Sequence, residues 1–382
     1  MTMKANPITT AACAFAAIFS NTLATAKGQE EKPDTPRIQL AIVLDTSSSM
    51  DGLIEQAKSQ LWKIINTFIA AKQDGRAPYV EVALYEYGND GLNRENHWIR
   101  KIQPLTRDLD KVSEELFSLR TNGGQEYCGA VIKQATDALE WDPSAKTYKA
   151  IFIAGNEPFT QGPVNATNSC KTAISKGIIV NTIFCGDSRE GINSGWKGGA
   201  LSADGSFLTI DSNLKVVHIP APQDEEIVAL NEKLNKTYLG YGRLAEAKSM
   251  NQVEQDANAS TKATGGAMVQ RAVAKASQNY HNSAWDLVDA SKEKGFDIAK
   301  VDKNDLPKEM QEMDDAAKLA FIDTKAKERA DIQGRILDLN KKRDAFVAEK
   351  RRDQAGAGKD TLDEVVTGTV RKQAASKGLK FE

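Results

Sequence analysis

The chain has 382 residues, enough for two or three domains and a sizeable core. Its 52 acidic and 50 basic residues nearly cancel, and no Lys/Arg run interleaved with aromatics occurs, which argues against a general role on nucleic acid or an anionic membrane. Beyond the first 26 residues no stretch approaches the roughly 20 apolar residues of a membrane span.

Residues 1–26 carry an early Lys4, an apolar Ala/Phe/Ile centre and Ala24-Thr25-Ala26 as a small-x-small cleavage site. This pattern predicts a signal peptide, and hence an exported, periplasmic or secreted chain in an oxidising compartment. Residues 27–36 form a polar linker. "IQLAIVL" (Ile38 to Leu44) is a continuous apolar run suited to a strand buried on both faces, and a helix with apolar residues at three-four spacing follows. "YVEVALYEY" alternates as a strand, and "HWIRKI" is short enough for an edge strand. Helical patterns run from Leu109 to Leu119 and from Tyr127 to Trp141. "YKAIFIAG", the helix "ATNSCKTAISKG", "IIVNTIFCG" and "GSFLTID" continue the alternation. Strands alternating with helices of this length predict a mainly parallel sheet covered on both faces, with ligands at the carboxyl ends of the strands.

From about Glu225 the texture becomes polar and helical. Ile332, Ile336, Leu339 and Phe346 fall near a three-four spacing, with Arg343 in one seam position. That seam predicts either docking on a neighbouring helix or a short coiled coil. The tail ends in one more helix and a short extended segment. Trp196, Trp285, Tyr238 and Tyr241 are read as core contacts more readily than as partner anchors.

At the end of the first strand, Asp45, Ser47 and Ser49 form D-x-S-x-S. Alternate residues of an extended turn point the same way, so one carboxylate and two hydroxyls converge. Such hard oxygens suit Mg²⁺ or Mn²⁺. The competing reading is a helix cap, with Ser49 or Asp51 satisfying free amides.

These residues, with "YGN" after the second strand, "TNGGQEYCGAVI" and "IFIAGNEP", resemble a von Willebrand factor type A domain over roughly Arg37 to Ile219. The resemblance extends to a bacterial exported subgroup whose helical second half is similar to "LNEKLNKTYLGYG" and "NSAWDLVDA". It implies an α/β, Rossmann-like fold with a mainly parallel central sheet flanked by helices (37–220), followed by an all-α region (221–382). It also implies a metal-ion-dependent adhesion site in which the ion accepts an acidic side chain from a protein partner. Asp45, Ser47 and Ser49 match that site. The family's "GGT" threonine is replaced by Gln125, and its "TDG" aspartate by the run Ala154-Gly155-Asn156-Glu157. Two accounts are open: Glu126, Asn156 and Glu157 supply substitute oxygens, with Glu126 lowering the ion's remaining charge, or the metal is lost and the loops persist as a neutral rim.

Three cysteines follow the leader, Cys128, Cys170 and Cys185, at spacings that match no zinc or redox motif. All three are expected near the carboxyl edge of the sheet. A Cys170–Cys185 disulfide is therefore expected, against the alternative of inert buried thiols. No G-x-x-x-x-G-K-[ST], H-E-x-x-H or G-x-S-x-G occurs, the three histidines are scattered, and the serines have no adjacent base, so catalysis is not expected. The expected function is a non-enzymatic, protein-binding module of the bacterial envelope. The alternative is an envelope scaffold that assembles through its C-terminal helices and keeps only a vestigial metal site.

Overall fold

The computed structural model describes residues 35–51, 54–210, 219–261, 266–354 and 362–381. The expected signal peptide, most of the linker and His218 lie outside the described residues. Strand β1 (Arg37–Asp45) is followed by α1 (Ile54–Thr67), the two-residue β2 (Ala71–Lys72), β3 (Tyr79–Tyr87) and β4 (Ile99–Thr106). Helices α2 (Leu109–Ser118) and α3 (Cys128–Ala138) precede β5 (Tyr148–Gly155), α4 (Ala166–Ser175) and β6 (Ile178–Cys185). Short α5 (Ser188–Asn193) and α6 (Trp196–Leu201) lead to β7 (Phe207–Ile210). The remainder is helical: α7 (Asp224–Asn235), α8 (Ala245–Thr261), α9 (Ala267–Lys275), α10 (Leu287–Ala290), α11 (Asp315–Gln354) and α12 (Leu362–Ala375), ending in β8 (Lys380–Phe381).

The sheet runs β4-β3-β1-β5-β6-β7. All its pairings are parallel except that of the edge strand β4, which is antiparallel to β3. Strand alternation divides the core in two. Ile38, Leu40, Ile42 and Leu44 of β1 join one apolar layer, with Phe152 of β5 and Ile183 of β6. Ala41 and Val43 join the other, with Ile151, Ile153 and Val180. Side-chain caps set several helix starts: Asp108 accepts from the Lys111 amide at 3.0 Å, and Asn165 from that of Asn168 at 2.9 Å.

The same alternation corrects the cysteine pairing. Cys185 shares a face with Ile183 and belongs to the first layer, whereas Cys170 and Cys128 belong to the second. The sheet stands between Cys185 and Cys170, and all three cysteines are buried free thiols. Burial pushes their thiols well above the usual range, Cys170 to about 12.

The helical region packs onto the sheet domain through apolar contacts, among them those of α12, and through ion pairs. Helix α12 returns from the far end of the chain to place Val366, Val370 and Ala374 in the first layer, and Leu379 follows them there. A buried triad fixes its register. The Gln373 amide donates to Asn181 Oδ1 at 2.7 Å, while the Tyr148 hydroxyl donates to Gln373 Oε1 at 2.8 Å. Among the ion pairs, Arg271 of α9 bridges Asp110 of α2 at 2.8 Å and Asp256 of α8 at 2.6 Å, and Lys275 meets Asp256 at 2.8 Å. The α11 seam is resolved as intramolecular docking. Ile332 and Ile336 bury against Ile227, Leu230 and Leu234 of α7 and Val269 and Val273 of α9, and Arg343 pairs with Asp224 at 2.6 Å. Among the described residues no helix is long and apolar enough to cross a membrane.

Candidate functional site

The register brings three strand ends to one level: Asp45 of β1 faces Tyr87 of β3, and Leu44 faces Ala154 of β5. The segments that leave these strands emerge side by side, and the loop before α3 is stitched to them. The Asn122 amide donates to Thr46 O at 3.0 Å, Asp90 N–H donates to Gly123 O at 2.6 Å, and Asn89 Nδ2 donates to Arg120 O at 2.9 Å.

Asp45 sits at the centre, fully buried. Its Oδ1 accepts from the Ser47 amide at 2.8 Å, while Oδ2 has no hydrogen-bond partner. The following 3₁₀ turn, Ser48–Met50, has Ser47 at its N-cap position without a side-chain cap bond. The Ser47 side chain therefore caps no amide of this turn. Its hydroxyl is turned 2.9 Å from that of Ser49, which in turn donates to Asn156 Oδ1 at 3.0 Å. The Asn156 amide also donates to the Ser49 carbonyl at 3.2 Å, so the post-β5 loop is clasped to the post-β1 turn.

Two glycines let the loops close on Asp45. Gly88 has φ +80°, and a Cβ there would stand 2.8 Å from Asp45 Oδ1 and 2.9 Å from Glu126 Cγ. A Cβ on Gly155 would stand 2.4 Å from the Tyr87 hydroxyl and 3.2 Å from Asp45 Oδ2. The Tyr87 hydroxyl, buried beneath, donates to Ala154 O at 3.0 Å. The Trp196 indole donates to the Glu157 carbonyl at 2.8 Å and holds that loop from below. Gln161 Oε1 accepts the Glu126 amide at 3.1 Å.

The electrostatics are one-sided. Burial pushes the Asp45 carboxyl up to about 7 against the hydrogen bonds from Ser47, and Glu126 and Glu157 raise it further. Glu126 is also raised, by burial and then by the charges of Glu157 and Asp90. The charged groups that act on this pair most strongly are all acids.

Asp45, Ser47, Ser49, Glu126, Asn156 and Glu157 are thus brought to one edge. Gln125 is exposed. Among the described residues no three His, Cys, Asp or Glu side chains stand at metal-holding geometry. The donor set here is mixed, with hydroxyl and amide oxygens beside the carboxylates. A buried carboxylate oxygen with no partner, next to paired hydroxyls, is what a hard divalent ion requires. Sequence reasoning passed over Tyr87, Gln161 and the seat of Trp196. Both glycines had a signal, Gly88 in "YGN" and Gly155 in "IFIAGNEP".

Residues 40–157 match the family model described as von Willebrand factor type A domain. Among solved structures, the chain is similar to the conserved hypothetical protein BatB from Bacteroides thetaiotaomicron, at 19% identity over 46% of this chain and 90% of that one, with a TM-score of 0.35. It is similar to the SpRpn10 VWA domain at 16% identity over 47% and 90%, with a TM-score of 0.36. It is also similar to proximal thread matrix protein 1 from the mussel byssus with a zinc-occupied MIDAS motif, at 16% identity over 47% and 43%, with a TM-score of 0.32. No curated protein matches the chain.

Proposed function

Since residues 40–157 are a von Willebrand factor type A domain, we propose that this protein is a binding module whose carboxyl-edge rim captures a protein partner with the help of a divalent cation. The supporting observation is the buried, unpartnered Oδ2 of Asp45 beside the Ser47–Ser49–Asn156 chain. Asp45, Ser47 and Ser49 would hold Mg²⁺ or Mn²⁺, with Glu126, Asn156 and Glu157 contributing further oxygens and water filling the remaining positions. The ion supplies a Lewis-acidic point at the rim. The protein's own residues supply the rest: Tyr87 and Trp196 fix the loops from below, and Gly88 and Gly155 let them approach. In this reading the sheet domain, 37–220, carries recognition and the helical region, 221–382, presents it.

The role is binding and not catalysis, and the setting is the bacterial envelope or the outside, an assignment that rests on the sequence of residues 1–26. The test is capture of envelope proteins by the immobilised mature chain. Capture that disappears both with chelator and in Asp45→Ala supports the reading. Capture unchanged by either contradicts it.

A further inference from the structure

We infer that Trp98 is a positioning residue for the candidate site: its strained turn clamps Gly88 and the Glu126 loop about Asp45 and sets the spacing at which an ion is held. The inference rests on the divalent-cation reading above. His97 and Trp98 both take left-handed backbone conformations, with φ of 56° and 52°. Two successive bulky residues in that region form an outlier that glycine would relieve, and such strain persists only where the surroundings over-determine it. Here they do. The His97 amide donates to Arg94 O at 2.9 Å, the Trp98 amide to Asn93 O at 3.1 Å, and Asn96 Nδ2 to Ile99 O at 2.6 Å.

The turn acts on the site in two ways. Tyr87 faces Ile99 in the β3–β4 pairing, so Trp98 comes opposite Gly88, and the Gly88 amide donates to the Trp98 carbonyl at 3.1 Å. Asp45 Oδ1 and Glu126 Cγ both close on Gly88, and a Cβ on Gly124 would stand 1.9 Å from the Gly88 carbonyl oxygen. The backbone that Trp98 holds is therefore the wall shared by Asp45 and the Glu126 loop. The indole works on the other side of that loop. It meets the Tyr127 ring edge-on, with centroids 5.6 Å apart, and the His97 ring lies 6.0 Å from the same ring. Tyr127 follows Glu126 directly, and a Cβ on Gly162 would stand 2.5 Å from the Tyr127 ring. One aromatic contact thus joins the β3–β4 turn to the loops that lead into α3 and out of β5. Moving the Trp98 ring or releasing its carbonyl changes the separation of Gly88 and Glu126, and a small hard ion with narrow ligand distances responds to that. The three rings are half-buried, so indole emission reports their packing.

The experiment titrates the mature chain with Mn²⁺, followed by electron paramagnetic resonance, and with Mg²⁺, followed by indole emission. It compares the wild type with Trp98→Ala, Trp98→Phe and Trp141→Phe, using circular dichroism to establish folding. Trp141 is the control, since its indole donates to Ala135 O at 3.0 Å, beyond the far end of α3. The wild type is expected to bind Mn²⁺. Trp98→Ala should bind it about tenfold more weakly, and Trp98→Phe, which keeps a ring against Tyr127, should bind as the wild type does. A merely structural role would lower the melting temperature of Trp98→Ala in chelator and leave its affinity for Mn²⁺ unchanged. The Mg²⁺-dependent change in emission should vanish in Trp98→Phe and persist in Trp141→Phe. Folded Trp98→Ala with wild-type Mn²⁺ affinity overturns the inference while leaving the metal reading intact. So does an emission change that is absent from the wild type or survives in Trp98→Phe, and this second arm decides if Trp98→Ala does not fold. A wild type that binds no Mn²⁺ overturns both.

Discussion

Asp45 carries opposite demands in the two states of its site. Burial favours its neutral form, so its carboxyl keeps a proton up to about 7 where the unfolded chain has lost it near 3.8. Between these values the native state binds more protons than the unfolded one, and stability falls as pH rises. In chelator the melting temperature should therefore drop from about pH 4 to 7, and Asp45→Asn should flatten that drop. Added Mg²⁺ or Mn²⁺ should also restore stability at pH 7. A melting curve of the chelated wild type that rises over this range contradicts the assignment. At this scale D-x-S-x-S was legible in the sequence because short-range alternation alone converges the three side chains. Glu126, Asn156 and Glu157 were legible only through the family pattern, since their approach depends on loop contacts made by Gly88 and Gly155. The cysteines show the limit most clearly. Cys185 lies on the Ile183 side of β6, but which face α4 covers is a property of the assembled sheet.

Helix α12 belongs to the sheet's core, although it lies at the far end of the sequence. The sequence showed it as a helix with a short extended tail and gave no sign of its seat, because the helical pattern does not name a partner. Its polar anchor makes a specific prediction. Gln373→Leu leaves the buried Asn181 and Tyr148 groups without their partner and should cost about 1–3 kcal/mol in denaturant unfolding. Leu379→Ala, at a position 2% exposed, should cost about 2–5 kcal/mol. The α11 seam was legible as a period but not as a destination. Ile336→Ala should destabilise the chain by about 2–5 kcal/mol without changing its mass by light scattering, because Ile336 packs on α7 and α9 of its own chain. A concentration-dependent mass that Ile336→Ala abolishes contradicts this.

The sheet and the helices are tied by charge as well as by apolar contact. Asp110, on α2, and Asp256, on α8, enclose Arg271 and Lys275 of α9, both fully buried. Removing one partner strands a buried charge, so Asp256→Ala should cost about 3–5 kcal/mol. Arg271 and Lys275 outweigh the burial of Asp256 and hold its carboxyl at about 2, below the usual 3.8. A depressed acid stabilises the fold above its unfolded pKa, and this share should be lost as pH falls from about 4 to 2. Calorimetry should record one unfolding transition for both regions in the wild type. The alternating α/β order was plain in the sequence because the inner strands β1, β5 and β6 are largely apolar runs, whereas the ion network joins residues too far apart in sequence for any local pattern to show.

The central claim is that this edge holds a divalent ion through Asp45. Isothermal titration of Mg²⁺ and Mn²⁺ into the mature chain and into Asp45→Ala, with circular dichroism to confirm that both are folded, tests it most directly. Saturable one-site heat in the wild type that is absent from folded Asp45→Ala is the predicted result. Identical traces from the two proteins, flat or not, contradict it.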